Sequence, residues 1–282
     1  MVDAEADRPV PRDVRIEPGD EEVHDRCAEE HRREGVRNTR GAISAARDHL
    51  PMERWYPDEL RMAGPEHLNA EFVAGYDRKQ QFDPSDDVTL LGELGIGSDA
   101  IVVDLGAGTG TFAIAAARAV GEVVAVDISP VMIEVLRRRV AESGVGNVTI
   151  TEAGLLSYSH SGRAPAAVYC RNVLHHLPDF WKGVALQRIA GLLPPSGVLL
   201  VRDIVYDFEP AAAPARIGEW LAGAADDPAV GYTADDLVEH LRSEHSTYRS
   251  VLDALLESAG FRIVDVQFRR SVYASYTCVV GG

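Results

Sequence analysis

From Ile101 to Val280 the apolar and polar positions fall into blocks that switch repeatedly between strand and helix periods. Short apolar runs rich in Val and Ile predict strands at 101–105, 122–127, 147–152, 166–171 and 197–203, because β-branched residues suit a sheet and each run is too short for a helix. Between them, apolar residues three to four apart predict helices at 110–120, 130–143 and 179–193. A helix at 247–259 and two further strands at 261–268 and 272–280 close the chain. Such alternation builds an α/β fold, a doubly wound, mostly parallel sheet of seven strands with helices on both faces. Ligands of these sheets bind at the carboxyl ends of the strands, where Asp104, Asp127, Gly154 and Asn172 fall.

The flanking regions have other patterns. Residues 1–20 carry many Asp, Glu, Arg and Pro with few bulky apolar groups, a composition that cannot offset ordering entropy, so a disordered tail is expected. Residues 21–75 read as a helical extension with a thin apolar stripe, ending in a short helix from about Pro65 to Tyr76. Its first helices either lie over the main domain or pair with a second copy as a homodimer. The main domain is expected over 76–282, with an insertion at about 206–247. That insertion holds a helix near 213–225 and another at 233–242, which the Thr233 hydroxyl can cap.

The candidate chemistry begins where the first strand runs into Asp104-Leu105-Gly106-Ala107-Gly108-Thr109-Gly110. Glycines at 106, 108 and 110 remove Cβ atoms where the backbone turns, where a ligand approaches and where the next helix packs. The loop lacks the Lys of a phosphate-cradling P-loop, which argues against ATP or GTP. Asp104 would repel a pyrophosphate and attract a cation. Asp127, at the end of the second strand and roughly 20 residues on, is placed to accept both hydroxyls of a ribose.

These residues resemble the class I S-adenosylmethionine-dependent methyltransferases from about Tyr76 to Val280, with a Rossmann-like fold. Tyr169-Cys170-Arg171-Asn172-Val173-Leu174-His175-His176-Leu177-Pro178-Asp179 is similar to the fourth-strand motif of the small-molecule branch, the ubiquinone-type and natural-product enzymes. The resemblance implies S-adenosyl-L-methionine as cofactor, with Asp104, Gly106, Ala107, Gly108 and Thr109 around its methionine part. It further implies Asp127 on the ribose, Ile128 beside the adenine, and an antiparallel final pair of strands. The family places an acidic residue after the third strand to bond the adenine amino group. Here Gly154 and Leu155 stand there, so either Glu152 acts from a shifted register or backbone and water suffice. Tyr76 and Arg78, next to Lys79, would reach the methionine carboxylate, Arg78 as a bidentate partner; the alternative is that this charged run is a solvated helix end. Asn172 offers its amide to the methionine end, and Arg171 either points away from the sulfonium or binds an anionic acceptor.

For catalysis His176 and His175 are the candidates, since histidine titrates near neutral pH; the alternative is that the pair shapes the loop. The acceptor pocket is expected from Tyr206, Trp220, His245, Tyr248 and Tyr273, with Tyr276 and some of these as plain core. The expected function is therefore an enzyme moving the methyl group of S-adenosylmethionine to an O, N or C nucleophile of a small molecule. The alternatives are a protein or RNA methyltransferase, or a non-catalytic S-adenosylmethionine-binding protein.

Composition narrows the choice. A net charge of −16 opposes attraction to nucleic acid, which is held through Lys and Arg on phosphates. No Asp/Asn-Pro-Pro-aromatic segment follows the fourth strand, which disfavours nucleobase and glutamine amino groups. No apolar run reaches the ~18 residues of a membrane span, and three scattered cysteines, Cys27, Cys170 and Cys278, form no disulfide framework, so a cytoplasmic location is expected. His24, Cys27 and His31 share a helical face but lack a fourth ligand, and no metal is expected.

Overall fold

The computed structural model describes residues 54–281, of which Pro57 onward form one compact unit. The expected tail, the helices before residue 54 and the His24–Cys27–His31 group lie outside the described residues.

The first helix among the described residues, α1 (Glu59–Met62), is capped by Asp58 and leads through a 3-10 turn, Glu66–Leu68, to α2 (Ala70–Gln80). Asn69 caps α2 by accepting the Glu71 and Phe72 N–H groups, so the helix expected to end at Tyr76 starts later and runs one turn further. A helix absent from the sequence reading, α3 (Ser85–Glu93), precedes β1 (Ile101–Leu105). Then come α4 (Thr111–Ala116), β2 (Glu122–Asp127), α5 (Pro130–Ser143), β3 (Val148–Glu152), β4 (Ala167–Arg171), α6 (Asp179–Leu192) and β5 (Val198–Tyr206). The insertion supplies α7 (Ala213–Ala222) and α8 (Ala234–Ser243), and Thr233 and Asp236 form a reciprocal capping box on α8, as its Thr–x–x–acid spacing dictates. The chain closes with β6 (Thr247–Tyr248), α9 (Arg249–Ser258), β7 (Phe261–Arg269) and β8 (Tyr273–Val280).

The sheet order is β3-β2-β1-β4-β5-β8-β7, with the two-residue β6 paired to β5. Strands β1 to β5 are parallel, while β8 is antiparallel to both β5 and β7. Seven strands were expected, and among the described residues β6 makes an eighth, too short to be read from a periodic pattern. Strand β5 runs three residues past its expected end because Ile204 pairs with Tyr273 and Val205 and Tyr206 pair with β6. Helix α4 stops four residues early, in turns that lead to Gly121, where a Cβ would meet the Ser98 carbonyl at 2.7 Å.

Alternate residues of each central strand feed two cores. Val103, Leu105, Val168, Cys170 and Val201 pack with α6 and α9 through Leu186, Ile189, Leu252 and Leu256. Val102, Val123, Ala125, Tyr169 and Leu200 pack with α3, α4 and α5 through Leu91, Phe112, Ala113, Ile133 and Leu136. Within the second core Asp87 of α3 accepts from Arg202 Nε at 2.7 Å and from the Tyr169 hydroxyl at 2.7 Å. These pairs pin α3 to the sheet beside the strand ends that form the site.

Candidate cofactor cleft

Two cavities open at the carboxyl ends of β1, β2 and β4, the edge at which ligands of doubly wound sheets bind. They adjoin through Tyr76, Gly106, Gly108, Arg171 and Asn172, which line both. The first also meets Asp127, Ile128, Gly154, Leu155 and His176. The second meets Asp104, Ala107 and Thr109. Thus Arg78 apart, every residue expected to touch the cofactor lies on this continuous cleft.

The glycine loop works as its spacing dictates. Gly106 has φ +79°, and a Cβ there would lie 1.9 Å from Val173 Cγ2, so only glycine lets the β1 and β4 loops approach this closely. Gly108 has φ +53° with nothing nearer its missing Cβ than Tyr76 at 3.8 Å, leaving bare backbone facing the cleft. Asn172 also adopts a left-handed conformation, φ 52°, one that Asn tolerates better than most residues. Its amide donates to Gln80 Oε1 at 3.2 Å.

Asp127 is held from both sides: Oδ2 accepts Gly108 N–H at 2.7 Å and Oδ1 accepts Ser129 N–H at 2.9 Å. Burial nevertheless pushes its pKa above the carboxylate range. Asp104 is buried, and Oδ2 has no hydrogen-bond partner among the described residues. Burial, and then the neighbouring Asp127 charge, raise its pKa to about 8. An orphaned carboxylate oxygen in a cavity calls for a cation or donor, since unpaired burial is costly.

Other contacts were not legible in sequence. Thr109 donates to Asp77 Oδ1 at 2.5 Å, and Arg139 Nη1 donates to Asp77 Oδ2 at 2.8 Å and to the Thr109 carbonyl at 3.0 Å. This strap ties α2 and α5 to the glycine loop and puts Arg139 on the second cavity. Arg171 lies over the Phe82 ring at 3.8 Å, stacked at the cavity wall. Arg78, expected to meet the methionine carboxylate, is exposed and lines neither cavity. On α2 it points away from the face that carries Tyr76 and Gln80, and its neighbour Lys79 is taken by Asp236 at 2.8 Å.

The two histidines separate. His176 lines the first cavity, and its Nδ1 pairs with Glu244 Oε2 at 2.9 Å. Burial raises the Glu244 pKa but the His176 bond outweighs it, so the net shift is down. His175 is buried beneath, with Nδ1 2.5 Å from Asp203 Oδ1. Burial opposes charge on both partners, yet each holds the other ionised: His175 is raised and Asp203 is held at about 2. His67 and His240 flank the pair and are pushed down to about 4, first by burial and then by the neighbouring histidines. Ligand atoms of His175, His240 and Glu244 lie within 4.8 Å of one another, a group that no spacing along the chain predicts. Each already has a hydrogen-bond partner in Asp203, Ser246 or His176.

The expected acceptor residues line neither cavity. Trp220 is 2% exposed and forms a satellite core with Leu237 and Val272, its Nε1 donating to the Tyr273 hydroxyl at 2.8 Å. Tyr206 and Tyr248 pack edge to face. His245 is exposed, and its backbone N–H donates to the His175 carbonyl at 2.7 Å. Tyr276 is core, its hydroxyl donating to Asp253 Oδ1 at 2.7 Å. Aromatic content alone did not separate this packing from a pocket.

Residues 102–197 match the family described as a methyltransferase domain. The chain is 35% identical over 147 residues to a trans-aconitate 2-methyltransferase of Methylobacterium radiotolerans, a match spanning 50% of this chain and about half, 53%, of that relative. It is 27% identical over 173 residues to an uncharacterized methyltransferase of Exiguobacterium sibiricum, across 61% of this chain and 73% of the relative. Among solved structures, magnesium protoporphyrin IX methyltransferase from Synechocystis PCC 6803 with bound S-adenosylmethionine superposes with a TM-score of 0.55 at 17% identity, covering 80% of this chain and 99% of that one. The cyclase SpnF shares the fold as well, with a TM-score of 0.52 at 16% identity, over 69% and 79% of the two chains. Residues 102–197 are thus similar to a methyltransferase domain, and the fold is the one shared by solved S-adenosylmethionine-dependent methyltransferases; the chain spans about half the length of the trans-aconitate relative it matches. Among the described residues no helix is long and apolar enough to cross a membrane.

Proposed function

We propose that this protein transfers the methyl group of S-adenosylmethionine to an O, N or C nucleophile of a small molecule. The observation that carries the reading is the pairing of two carboxylates in one cleft. Asp127 is tethered by Gly108 and Ser129 N–H groups with lone pairs left for two ribose hydroxyls, and Asp104 has an oxygen free for an ammonium. Arg139 and Arg171, on the second cavity, are the cations near enough to hold the methionine carboxylate. Bound there, the cofactor supplies an electrophilic methyl on a sulfonium.

The chain's own contribution is alignment and proton handling. The 3-10 turn Leu174–His176 brings His176 to the cleft wall. Glu244 fixes its Nδ1, so the other ring nitrogen is the one available to take a proton from an acceptor. His175, locked to Asp203 and away from the cleft, positions this turn. Holding acceptor and methyl in line provides most of the acceleration, and a base adds roughly 10²–10⁴. A small acceptor accords with the charge of −16, which disfavours RNA, and with the trans-aconitate substrate in the name of the relative.

The test is metabolite profiling of cells overexpressing the protein against cells lacking it. A compound gaining one methylene, reproduced with purified protein and S-adenosylmethionine, supports the proposal. Methylation of a protein or tRNA fraction instead would replace it with a macromolecular acceptor.

A further inference from the structure

Glycine at 154 leaves the third strand without a side chain where it meets the cleft, and another element fills the gap. The Glu59 carboxyl, from α1, sits where a residue-154 side chain would begin: a Cβ built there would lie 2.3 Å from Glu59 Oε1 and 2.7 Å from Oε2. Glu59 Oε1 is anchored by the Leu156 N–H at 2.8 Å. Oε2 is buried, lines no contact with any donor among the described residues, and belongs to a side chain on the first cavity. A carboxylate with one oxygen tethered and the other bare beside a cavity is poised to accept a hydrogen bond from what enters.

Position along the cleft identifies the donor. The second cavity carries Asp104 and the arginines, and the shared residues form the middle. Glu59 lies only in the first cavity, with Asp127, and with Ile128, Met132, Ala153 and Leu155 as largely apolar walls. That is a slot for a flat heterocycle beyond the sugar. Building on the cofactor reading above, we propose that Glu59 Oε2 accepts a hydrogen bond from the exocyclic amino group of the cofactor's adenine. An N-terminal helix thereby supplies base specificity that the strand-end glycine cannot. The four-residue α1 is a wall of the cofactor site, and Gly154 is required because a side chain would displace the Glu59 carboxyl.

Calorimetry with S-adenosylhomocysteine and S-inosylhomocysteine, which replaces the amino donor by a carbonyl, tests this without turnover. Wild type should favour the adenine ligand by on the order of 10- to 100-fold, the worth of a hydrogen bond to a charged group. In Glu59→Gln the amide oxygen keeps the Leu156 N–H and the NH₂ faces the base, so the preference should collapse or reverse. Gly154→Ala should weaken the preference in the same direction, and it stands in if Glu59→Gln does not fold, with thermal melting checking both. Equal affinity of wild type for the two ligands, or an unchanged ratio in folded variants, overturns the Glu59 role while leaving the cofactor reading intact. Failure of wild type to bind S-adenosylhomocysteine at all overturns both.

Discussion

Asp203 Oδ1 lies 2.5 Å from Nδ1 of His175, both side chains buried, and the second Asp203 oxygen accepts the Leu174 N–H at 2.8 Å. One carboxylate on β5 thus fixes the turn that presents His176 to the cleft. Removing one member leaves a buried charge unpaired, so Asp203→Asn should destabilise the protein by about 3–5 kcal/mol in urea unfolding. Asp203 is depressed, so its contribution holds above its unfolded pKa of about 4 and fades as pH falls through about 2. His175 is raised, so its contribution holds below about 6.5 and fades as pH climbs through its folded pKa. The gap between wild type and Asp203→Asn should therefore be widest between about pH 4 and 6.5 and narrow above it. A gap independent of pH would show that the pair is not ionised.

Asp104 links cofactor binding to pH. Its pKa of about 8 means the free protein carries a proton there at pH 7, while a ligand ammonium calls for the carboxylate. Affinity for S-adenosylhomocysteine should rise by up to about tenfold per pH unit from 6 to 8, with a proton released on binding. Asp104→Asn should bind more weakly and lose that part of the slope. A parallel slope in wild type and variant would remove Asp104 from the ammonium site.

Two glycines with the same backbone sign should behave differently. Gly144 has φ +73° with nothing within 4 Å of a built Cβ, whereas at Gly106 Val173 Cγ2 stands 1.9 Å away. Gly144→Ala should cost about 1 kcal/mol, the left-handed backbone alone. Gly106→Ala should cost roughly 2–5 kcal/mol, because overpacking is added, and should abolish S-adenosylhomocysteine binding. Equal melting temperatures for the two variants would contradict this account of the loop.

Much of this arrangement was legible in the chain. The short apolar runs rich in Val and Ile placed β1 to β5, and the glycine spacing with Asp104 and Asp127 marked the cleft, because those residues act on backbone and ligand close to where they stand. What escaped is non-local. Helix α1 is a single turn, with no periodic pattern to read, yet it carries Glu59. Arg139 is one of three consecutive arginines on α5, and only the fold shows that this one reaches Asp77. Trp220 and Tyr273 looked like pocket aromatics and instead satisfy each other inside a satellite core. Glu244 and His240 sit in the insertion, some 65 residues beyond His176, and only the packing of α8 reveals the cluster.

His176 and Glu244 make a prediction about rate. Once the acceptor is known, His176→Ala should lower kcat by roughly 10²–10⁴ if the ring takes the acceptor's proton. Glu244→Gln should lower it less and shift the pH–rate profile, because it perturbs the ring without removing it. Unchanged kcat in both would assign the pair to shaping the loop.

The proposed function places S-adenosylmethionine in the cleft at the carboxyl ends of β1, β2 and β4, with its ribose on Asp127. Calorimetry of S-adenosylhomocysteine binding to wild type and to Asp127→Ala reads it directly. Wild type should bind it, the variant should lose about 1.5–3 kcal/mol for hydrogen bonds to a charged group, and NAD should not bind. Undiminished affinity in Asp127→Ala, or NAD bound in place of S-adenosylhomocysteine, would contradict this placement.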